Sequence, residues 1–167
     1  MIVVSDTSPL GSLALIDHLW LLKNIYGTVI IPKVVANELN AAQDTRIQNI
    51  LNLEWIQIQS LGDPTIAENL RQSKNLDLDL GEAYAIALAV QLKADELLID
   101  ERIGRREAQH YRLSVIGLLG VLVIAKQRNL IFKVQPVMNA LINQAGFRVS
   151  VQLYNRILSL SREDQNP

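Results

Sequence analysis

The sequence predicts an α/β protein in which helices cover both faces of a parallel sheet, and three observations support that fold class. Four short apolar runs rich in β-branched residues predict buried strands at 2–4, 28–31, 55–58 and 96–99, with a fifth candidate run at 114–116. Longer segments with helical signals separate these runs. No Asn-Gly or Asp-Gly turn joins any two of them, and strands that alternate with helices favour a parallel sheet.

Helix starts are marked between the predicted strands. Ser8 and Pro9 predict an N-cap followed by proline at the first helical position. Asp79, with Glu82 three residues later, matches a capping box ahead of AYAIALAV. The other predicted starts are Pro32, ahead of KVVANELNAA, and Asp63-Pro64.

Length and composition predict one compact domain. The chain has 167 residues, of which 49% are hydrophobic, and we expect a single domain at 1–161 with a frayed tail at 162–167. The segment at 72–80 is the most loop-like. The absence of cysteine excludes disulfides, thiolate catalysis and cysteine-ligated zinc. No apolar run approaches the ~18 residues needed to span a bilayer, and no signal peptide is evident, so we expect a cytoplasmic protein without membrane contact.

Charge is distributed unevenly along the chain, although the net charge is only −1. The range 1–100 holds 6 Lys and Arg against 13 Asp and Glu, whereas 101–167 holds 10 against 4. Such asymmetry is typical of an acidic centre beside a basic, phosphate-binding surface. The alternative is that the charged residues are distributed by chance over solvent-exposed faces.

Two aspartates follow predicted strands. Asp6 comes directly after the first strand, in SDTSPL, and Asp100 follows the strand in ELLID. Ligands of open parallel sheets bind beyond the carboxyl ends of the strands, so both carboxylates are candidates for one crevice. Ordinary capping at a strand-to-helix turn is the alternative for each of them.

Two glutamates lie on helix faces that are otherwise apolar. Glu38 shares its face with Val34, Val35, Ala41 and Ala42, well inside a predicted helix. Its alternative is a buried pair with a cation or a hydroxyl group, since a charge in such a place needs a partner.

Glu82 shares a face with Ala85, Ile86 and Ala89. Its alternative role is to complete the capping box with the backbone of Asp79. Crowded carboxylates repel one another, and a divalent cation relieves that repulsion. An all-oxygen set of ligands suits Mg²⁺ or Mn²⁺, and such sites usually serve phosphoryl chemistry.

A basic segment follows Asp100 directly. The stretch ERIGRREAQHYR carries Arg102, Arg105 and Arg106 on a helix predicted to start near Glu101. Arginine suits phosphate recognition because its guanidinium can donate to two oxygens at once. A solvated helix face with internal ion pairs is the alternative.

The four acidic positions, taken with their flanks, resemble the acidic motifs of the PIN-domain family. The matching stretches are SDTSPL, VIIPKVVANEL, GEAYAIALA and LLIDERIGRREA. The resemblance extends through VIGLLGVLVIAKQRNLI and GFRVSVQLY, and so covers nearly the whole chain. It is closest to the VapC-like branch, in which the first motif is SDxSPL.

The resemblance implies a three-layer α/β/α sandwich with a parallel sheet of about five strands, and Mg²⁺- or Mn²⁺-dependent endoribonuclease activity. Members of the branch are often toxins inhibited by a small antitoxin protein, and they commonly form homodimers. It implies that Asp6, Glu38, Glu82 and Asp100 form the catalytic, metal-binding site, with Glu101 as a further metal ligand. We expect RNA contacts from Ser8, Arg102, Arg105 and Arg106.

Two positions depart from the family pattern and leave a second function open. Many members carry a hydroxyl residue before the fourth acidic residue, where this chain has Ile99, and Gly-Thr where this chain has Gly117-Leu118. A PIN fold that binds RNA or protein without turnover is therefore the alternative. A phosphoacceptor receiver domain is disfavoured because SVIGLLG lacks the lysine that such a site requires.

Overall fold

The computed structural model describes residues 1–73 and 77–164, and each predicted strand is present within it. The strands are Val3–Ser5 (β1), Val29–Pro32 (β2), Ile56–Gln59 (β3), Glu96–Leu98 (β4) and Val115–Ile116 (β5). The helices in this part of the chain are Thr7–Leu15 (α1), Trp20–Tyr26 (α2), Lys33–Ala41 (α3), Thr45–Gln48 (α4), Thr65–Gln72 (α5), Leu80–Leu92 (α6), Arg102–His110 (α7), Leu118–Gln127 (α8), Val134–Gln144 (α9) and Val151–Leu160 (α10). A 3-10 turn spans Asn49–Asn52.

The five strands form one parallel sheet in the order β3-β2-β1-β4-β5. The chain builds outward from β1 to β3 on one side and then crosses to β4 and β5 on the other. The direction of winding therefore changes between β1 and β4, where Ser5 is in register with Leu98. Open α/β sheets form a crevice at such a switch point, beyond the carboxyl ends of the two strands.

Alternate side chains of the central strand enter two separate apolar cores. Val3 packs into a core that includes buried residues of α1, α3, α8 and α9, whereas Val4 packs into a core built largely from α6. Both valines are completely buried, as expected for a strand covered on its two faces. The predicted three-layer α/β/α sandwich with a five-stranded parallel sheet is confirmed.

The start of α1 differs from the prediction. The helix begins at Thr7, and Asp6, in extended conformation, occupies the N-cap position, so Ser8 is not the cap. Pro9 is the third helical residue. Proline is tolerated there because the first-turn N–H groups have no partner within the helix.

The capping box predicted at α6 is confirmed. The N–H of Glu82 donates to Asp79 Oδ1 at 2.8 Å, and the N–H of Asp79 donates to Glu82 Oε2 at 3.0 Å. The predicted loop at 72–80 and tail at 162–167 fall partly outside the described residues, at 74–76 and 165–167. Among the residues that are described, no helix is long and apolar enough to cross a lipid bilayer.

The C-terminal segment is anchored at Glu163, which lies within the range predicted to be a frayed tail. The Glu163 carboxylate accepts the backbone N–H groups of Val134 and Gln135, at 2.8 and 3.1 Å, which begin α9. It also pairs with Lys126 Nζ of α8 at 2.9 Å. An anion that binds the first N–H groups of a helix is stabilising, and here it ties the chain end to two helices.

Replacing Glu163 with alanine is expected to lower the free energy of unfolding by about 1–3 kcal/mol, because the first N–H groups of α9 and Lys126 lose a buried charged partner. Burial raises the pKa of Glu163, but the backbone N–H of Val134 and the ammonium group of Lys126 lower it by more. The pKa of Glu163 is therefore below its ordinary value. The stabilisation is therefore present above the ordinary glutamate pKa and lost as pH falls through the lowered one. Urea denaturation across acidic pH measures this, and exposed Asp164→Ala is the matched control.

Candidate active site

The aspartates predicted to follow two strands lie at the switch point of the sheet. Asp6 directly follows β1, and its N–H donates to the carbonyl of Leu98, the last residue of β4, at 3.0 Å. Asp100 lies two residues beyond Leu98. The parallel register of β1 and β4 therefore delivers both carboxylates to the same edge of the sheet.

Asp6 is a buried carboxylate with an oxygen that lacks a partner. The residue is only 3% exposed, and Oδ1 accepts no hydrogen bond from any described residue. Burial raises its pKa to about 8, and the nearby charges of Asp79, Glu82 and Glu38 act in the same direction. An unpaired buried carboxylate is costly unless a cation neutralises it.

Asp100 has one oxygen bound and one without a partner. Oδ1 accepts the N–H of Leu118, the first residue of α8, at 2.8 Å, while Oδ2 is buried and unpaired within the described part of the chain. Burial raises its pKa to about 6, although the Leu118 N–H and the Arg105 guanidinium favour the charged form. The contact with α8 fixes the side chain beside the crevice.

Glu82 forms the capping box that was its alternative role, and it also lies near Asp6. It is 3% exposed and completes the capping box, yet its carboxyl group also belongs to the acidic group around Asp6. Burial raises its pKa to about 7, and the charges of Asp79 and Glu101 add to the effect.

Glu38 lies beside the same group, but it does not face the core as predicted. Glu38 is half-buried, and Ala41 on the same helix is exposed. Its carboxylate accepts the hydroxyl of Thr7, which is the kind of partner proposed as the alternative. The carboxylate also lies against Gly81, where a β-carbon would stand 2.6 Å from Oε2.

Asp79 is an acidic residue of the site that the sequence assigned only to helix capping. Its charge contributes to the raised pKa values of both Asp6 and Glu82. The signal that could have identified it was its position one turn before Glu82. Glu101 is exposed at the N-cap of α7, and its charge acts on both Glu82 and Asp100.

The carboxylates thus form two neighbouring sets. Asp6, Glu38 and Glu82 lie together beneath the start of α6, while Asp100 and Glu101 lie beside Arg105 at the start of α7. Across 1–73 and 77–164, no three Asp, Glu or His side chains converge closely enough to hold one ion. The buried unpaired oxygens of Asp6 and Asp100 nevertheless fit an oxygen-preferring divalent cation, since Mg²⁺ keeps several waters and needs only one or two carboxylates.

Three cavities open around Asp100. The first, of about 490 Å³, is lined by Ser8, Ser12, Asp100, Glu101 and residues 145–148. The second, of about 440 Å³, lies along Arg102, Arg105, Arg106 and Gln109 of α7. The third, also about 440 Å³, extends between the start of α8, the loop at 147–148 and α10. Asp100 therefore borders all three cavities, although its Oδ2 atom is itself buried.

The predicted RNA-contacting residues border these cavities. Ser8 is exposed in the first cavity, and Arg102, Arg105 and Arg106 line the second. Arg106 Nε lies 3.4 Å from Glu107 Oε1, so a weak ion pair within the helix partly neutralises the Arg106 guanidinium. Arg105 Nη1 and Asp100 Oδ1 both crowd Gly117, where a β-carbon would lie 2.8 and 2.9 Å from them.

The sequence did not identify Phe147, Arg148 and Arg156 as site residues. Phe147 and Arg148 line the first and third cavities, and Arg156 of α10 lines the third. They are distant from Asp100 in sequence, and they reach it because α9 returns the chain from the far end of α8. The excess of basic residues after position 100 was the available signal.

The three-layer sandwich with carboxylates at the switch point of its parallel sheet defines an α/β protein with a candidate ligand site. A family model described as PIN domain matches residues 2–163, so the chain belongs to the PIN-domain family. PIN domains are generally nucleases and typically use divalent metals. The comparison with curated proteins found no match.

Proposed function

We propose that the protein is a Mg²⁺- or Mn²⁺-dependent endoribonuclease that hydrolyses RNA phosphodiester bonds. The observation that carries the proposal is the pair of buried, unpaired carboxylate oxygens, on Asp6 and Asp100, at the switch point of the sheet. Two such oxygens are costly in a resting protein, and a divalent cation held by these carboxylates would remove that cost.

Asp6, Glu38, Glu82, Asp100 and Glu101 are the carboxylates that would hold the cation, directly or through water. A bound divalent cation supplies an activated water and neutralises charge on the phosphate. The hydroxyl of Thr7 holds Glu38, and the N–H of Leu118 holds Asp100, so neither carboxylate has to be ordered when substrate arrives.

Arginine side chains are proposed to bind the substrate backbone. Arg105 lies beside Asp100, and Arg102 and Arg106 line the adjoining cavity, so a phosphate that reaches Asp100 is flanked by guanidinium groups. These groups stabilise the negative charge that develops as the phosphodiester is attacked. The choice of RNA as substrate rests on the resemblance to the VapC-like branch.

A toxin role in a toxin–antitoxin pair follows from the same resemblance. We propose that a small antitoxin protein inhibits the enzyme by covering the acidic crevice. We also propose that the protein forms a homodimer.

A second candidate function is RNA or protein binding without turnover. Ile99 and Leu118 stand where many family members carry a hydroxyl residue, and neither side chain has a hydroxyl group. Both side chains are buried, at 0% and 1% exposure. This observation favours a site that retains its carboxylates but lacks a group to orient the attacking water.

Cleavage of single-stranded RNA in the presence of Mn²⁺ tests the proposal. We expect the wild-type protein to cut a labelled RNA internally, EDTA to stop the reaction, and Asp6→Asn or Asp100→Asn to slow it about 100-fold or more. Asp17→Asn is the matched control, since Asp17 is exposed and lines a cavity that shares no residue with the three around Asp100.

Equal cleavage by all four proteins would point to a contaminating nuclease and would contradict the proposed site. RNA binding by the wild type, with no cleavage under Mg²⁺ or Mn²⁺, would support the binding module instead.

A further inference from the structure

We infer that the cavity between α8, α10 and the loop at 145–150 binds one strand of RNA, with Phe147 stacking on a base and two arginines contacting phosphates. We call this cavity the loop groove. Its polar lining comes from Asp100, Arg105, Arg148 and Arg156, and the rest of the lining is Phe147, glycine and aliphatic side chains of β5, α8 and α10. The inference rests on the proposed function, because it names the path by which substrate would reach Asp100.

The loop that carries Phe147 is held at both ends. The N–H of Phe147 donates to the carbonyl of Leu141 in α9 at 3.0 Å, after a turn at Gly146 with φ of 66°. At the other end, the hydroxyl of Ser150 accepts the N–H of Leu153 at 3.1 Å and caps α10. A loop fixed in this way presents its side chains without a large ordering cost.

Phe147 is half-buried between two cavities. It packs against the larger apolar core and lines both the loop groove and the cavity beside Ser8. A ring that packs partly against the core and also lines two adjoining cavities can serve as a platform for a nucleobase. Aromatic platforms of this kind bind single strands with little sequence preference, because every base has a stacking face.

The charges of the loop groove complement a phosphate backbone. Arg148 and Arg156 are exposed, and neither forms an ion pair with an acidic side chain within the described residues. Arg105 lies further in, beside Asp100. The three guanidinium groups therefore line a path from the surface to the acidic crevice. A duplex keeps its bases inside, so the combination of ring and cations fits an unpaired strand.

Binding without turnover is the test. The anisotropy of a fluorescein-labelled oligouridine is measured in EDTA, at several salt concentrations, with full-length protein. We expect Arg148→Gln with Arg156→Gln to weaken binding roughly 10-fold and to reduce the slope of log affinity against log salt by roughly 1.4. Phe147→Leu is expected to weaken binding roughly 5- to 10-fold, whereas Phe147→Tyr keeps a ring and retains affinity.

Two control variants remove one positive charge and one aromatic ring at positions away from the loop groove. Lys23→Gln removes an exposed cation that lines a separate cavity, and Phe132→Leu removes a ring that is 89% exposed. Phe132 follows the end of α8, and α8 begins beside Asp100, so ten helical residues separate it from the site. Both controls are expected to bind as the wild type does, and thermal melts verify that every variant is folded.

If the groove variants bind and cleave RNA like the wild type, the inference about the loop groove is contradicted and the proposed ribonuclease activity is not. The inference also fails if the wild type does not bind the RNA, or if an acidic peptide displaces RNA at equal charge concentration, which would assign the groove to a protein partner. If the variants lose RNA binding and no protein cleaves, the groove stands and only the proposed hydrolysis is contradicted. A DNA oligonucleotide of the same sequence serves to compare the two kinds of single strand.

Discussion

Asp6→Asn is expected to raise the stability of the metal-free protein while it removes RNA cleavage. The carboxyl group of Asp6 is 3% exposed with an oxygen that lacks a partner among the described residues, and burial raises its pKa to about 8. The unfolded chain ionises this group near its ordinary pKa, whereas the folded protein holds it neutral. Folding therefore costs free energy at neutral pH, and asparagine removes that cost.

The pH dependence of this effect has a definite sign. Below about pH 4 Asp6 is protonated in both states and contributes nothing. As pH rises toward 8, the unfolded state ionises while the folded state does not, so the wild type loses stability over that interval. Between pH 5 and pH 8 we expect the advantage of Asp6→Asn to grow by up to about 1.4 kcal/mol per pH unit, from a starting value that the cost of the buried amide lowers.

Denaturation by urea in EDTA, from pH 5 to pH 8, measures the advantage directly. Asp17→Asn is the control, because Asp17 is exposed, and its φ of 57° suits asparagine. A stability difference that does not change with pH would contradict the account of Asp6. Added Mn²⁺ should reverse the order of stability, since only the wild type gains free energy from bound cation, about 2.7 kcal/mol at a concentration 100 times the Kd.

Gly81→Ala is the second substitution with a large expected effect, because it moves Glu38 without altering any carboxylate. A β-carbon at Gly81 would lie 2.6 Å from Glu38 Oε2 and 2.8 Å from Oε1. The flexible glutamate can swing away, but it then loses the hydroxyl of Thr7 and leaves the group around Asp6. We expect RNA cleavage to fall roughly 100-fold, the cost typical of a catalytic group displaced by about 1 Å.

Stability is expected to move in the opposite direction from activity. Gly81 lies in the first turn of α6, and alanine favours a helix by about 0.5–1 kcal/mol over glycine. Gly11→Ala in α1 is the matched control, since its β-carbon would meet only Ile47 Cδ1, at 3.8 Å. Cleavage assays and thermal melts on both variants separate the effects. Normal cleavage by Gly81→Ala would show that the position of Glu38 is not critical.

The sheet and the placement of Asp6 and Asp100 could be predicted from the sequence for a simple reason. Buried parallel strands are short, continuous apolar runs, and every one of them ends at the same edge. Carboxylates that follow two adjacent strands are then brought to one crevice, whichever helices connect those strands. The capping box at Asp79 was equally local, because both of its hydrogen bonds span only three residues.

The rest of the site depends on contacts between distant helices, which periodicity does not reveal. Glu38 was expected to face the core, but the packing of α3 against α6 leaves it half-buried, with Thr7 and Gly81 as neighbours. Phe147 and Arg148 reach Asp100 only because α9 returns along α8, and nothing in the stretch GFRV indicates that return.

The contacts of Glu163 with the start of α9 should limit the motion of the candidate RNA-binding surface. Glu163 fixes the first residues of α9, and α9 leads to the loop that carries Phe147 and Arg148. Amide hydrogens in α9 and in that loop should therefore exchange as one cooperative unit that opens when the anchor is released. A tag or fusion that disturbs the C-terminus would then alter substrate affinity from a distance, whereas one attached at the exposed Met1 would not.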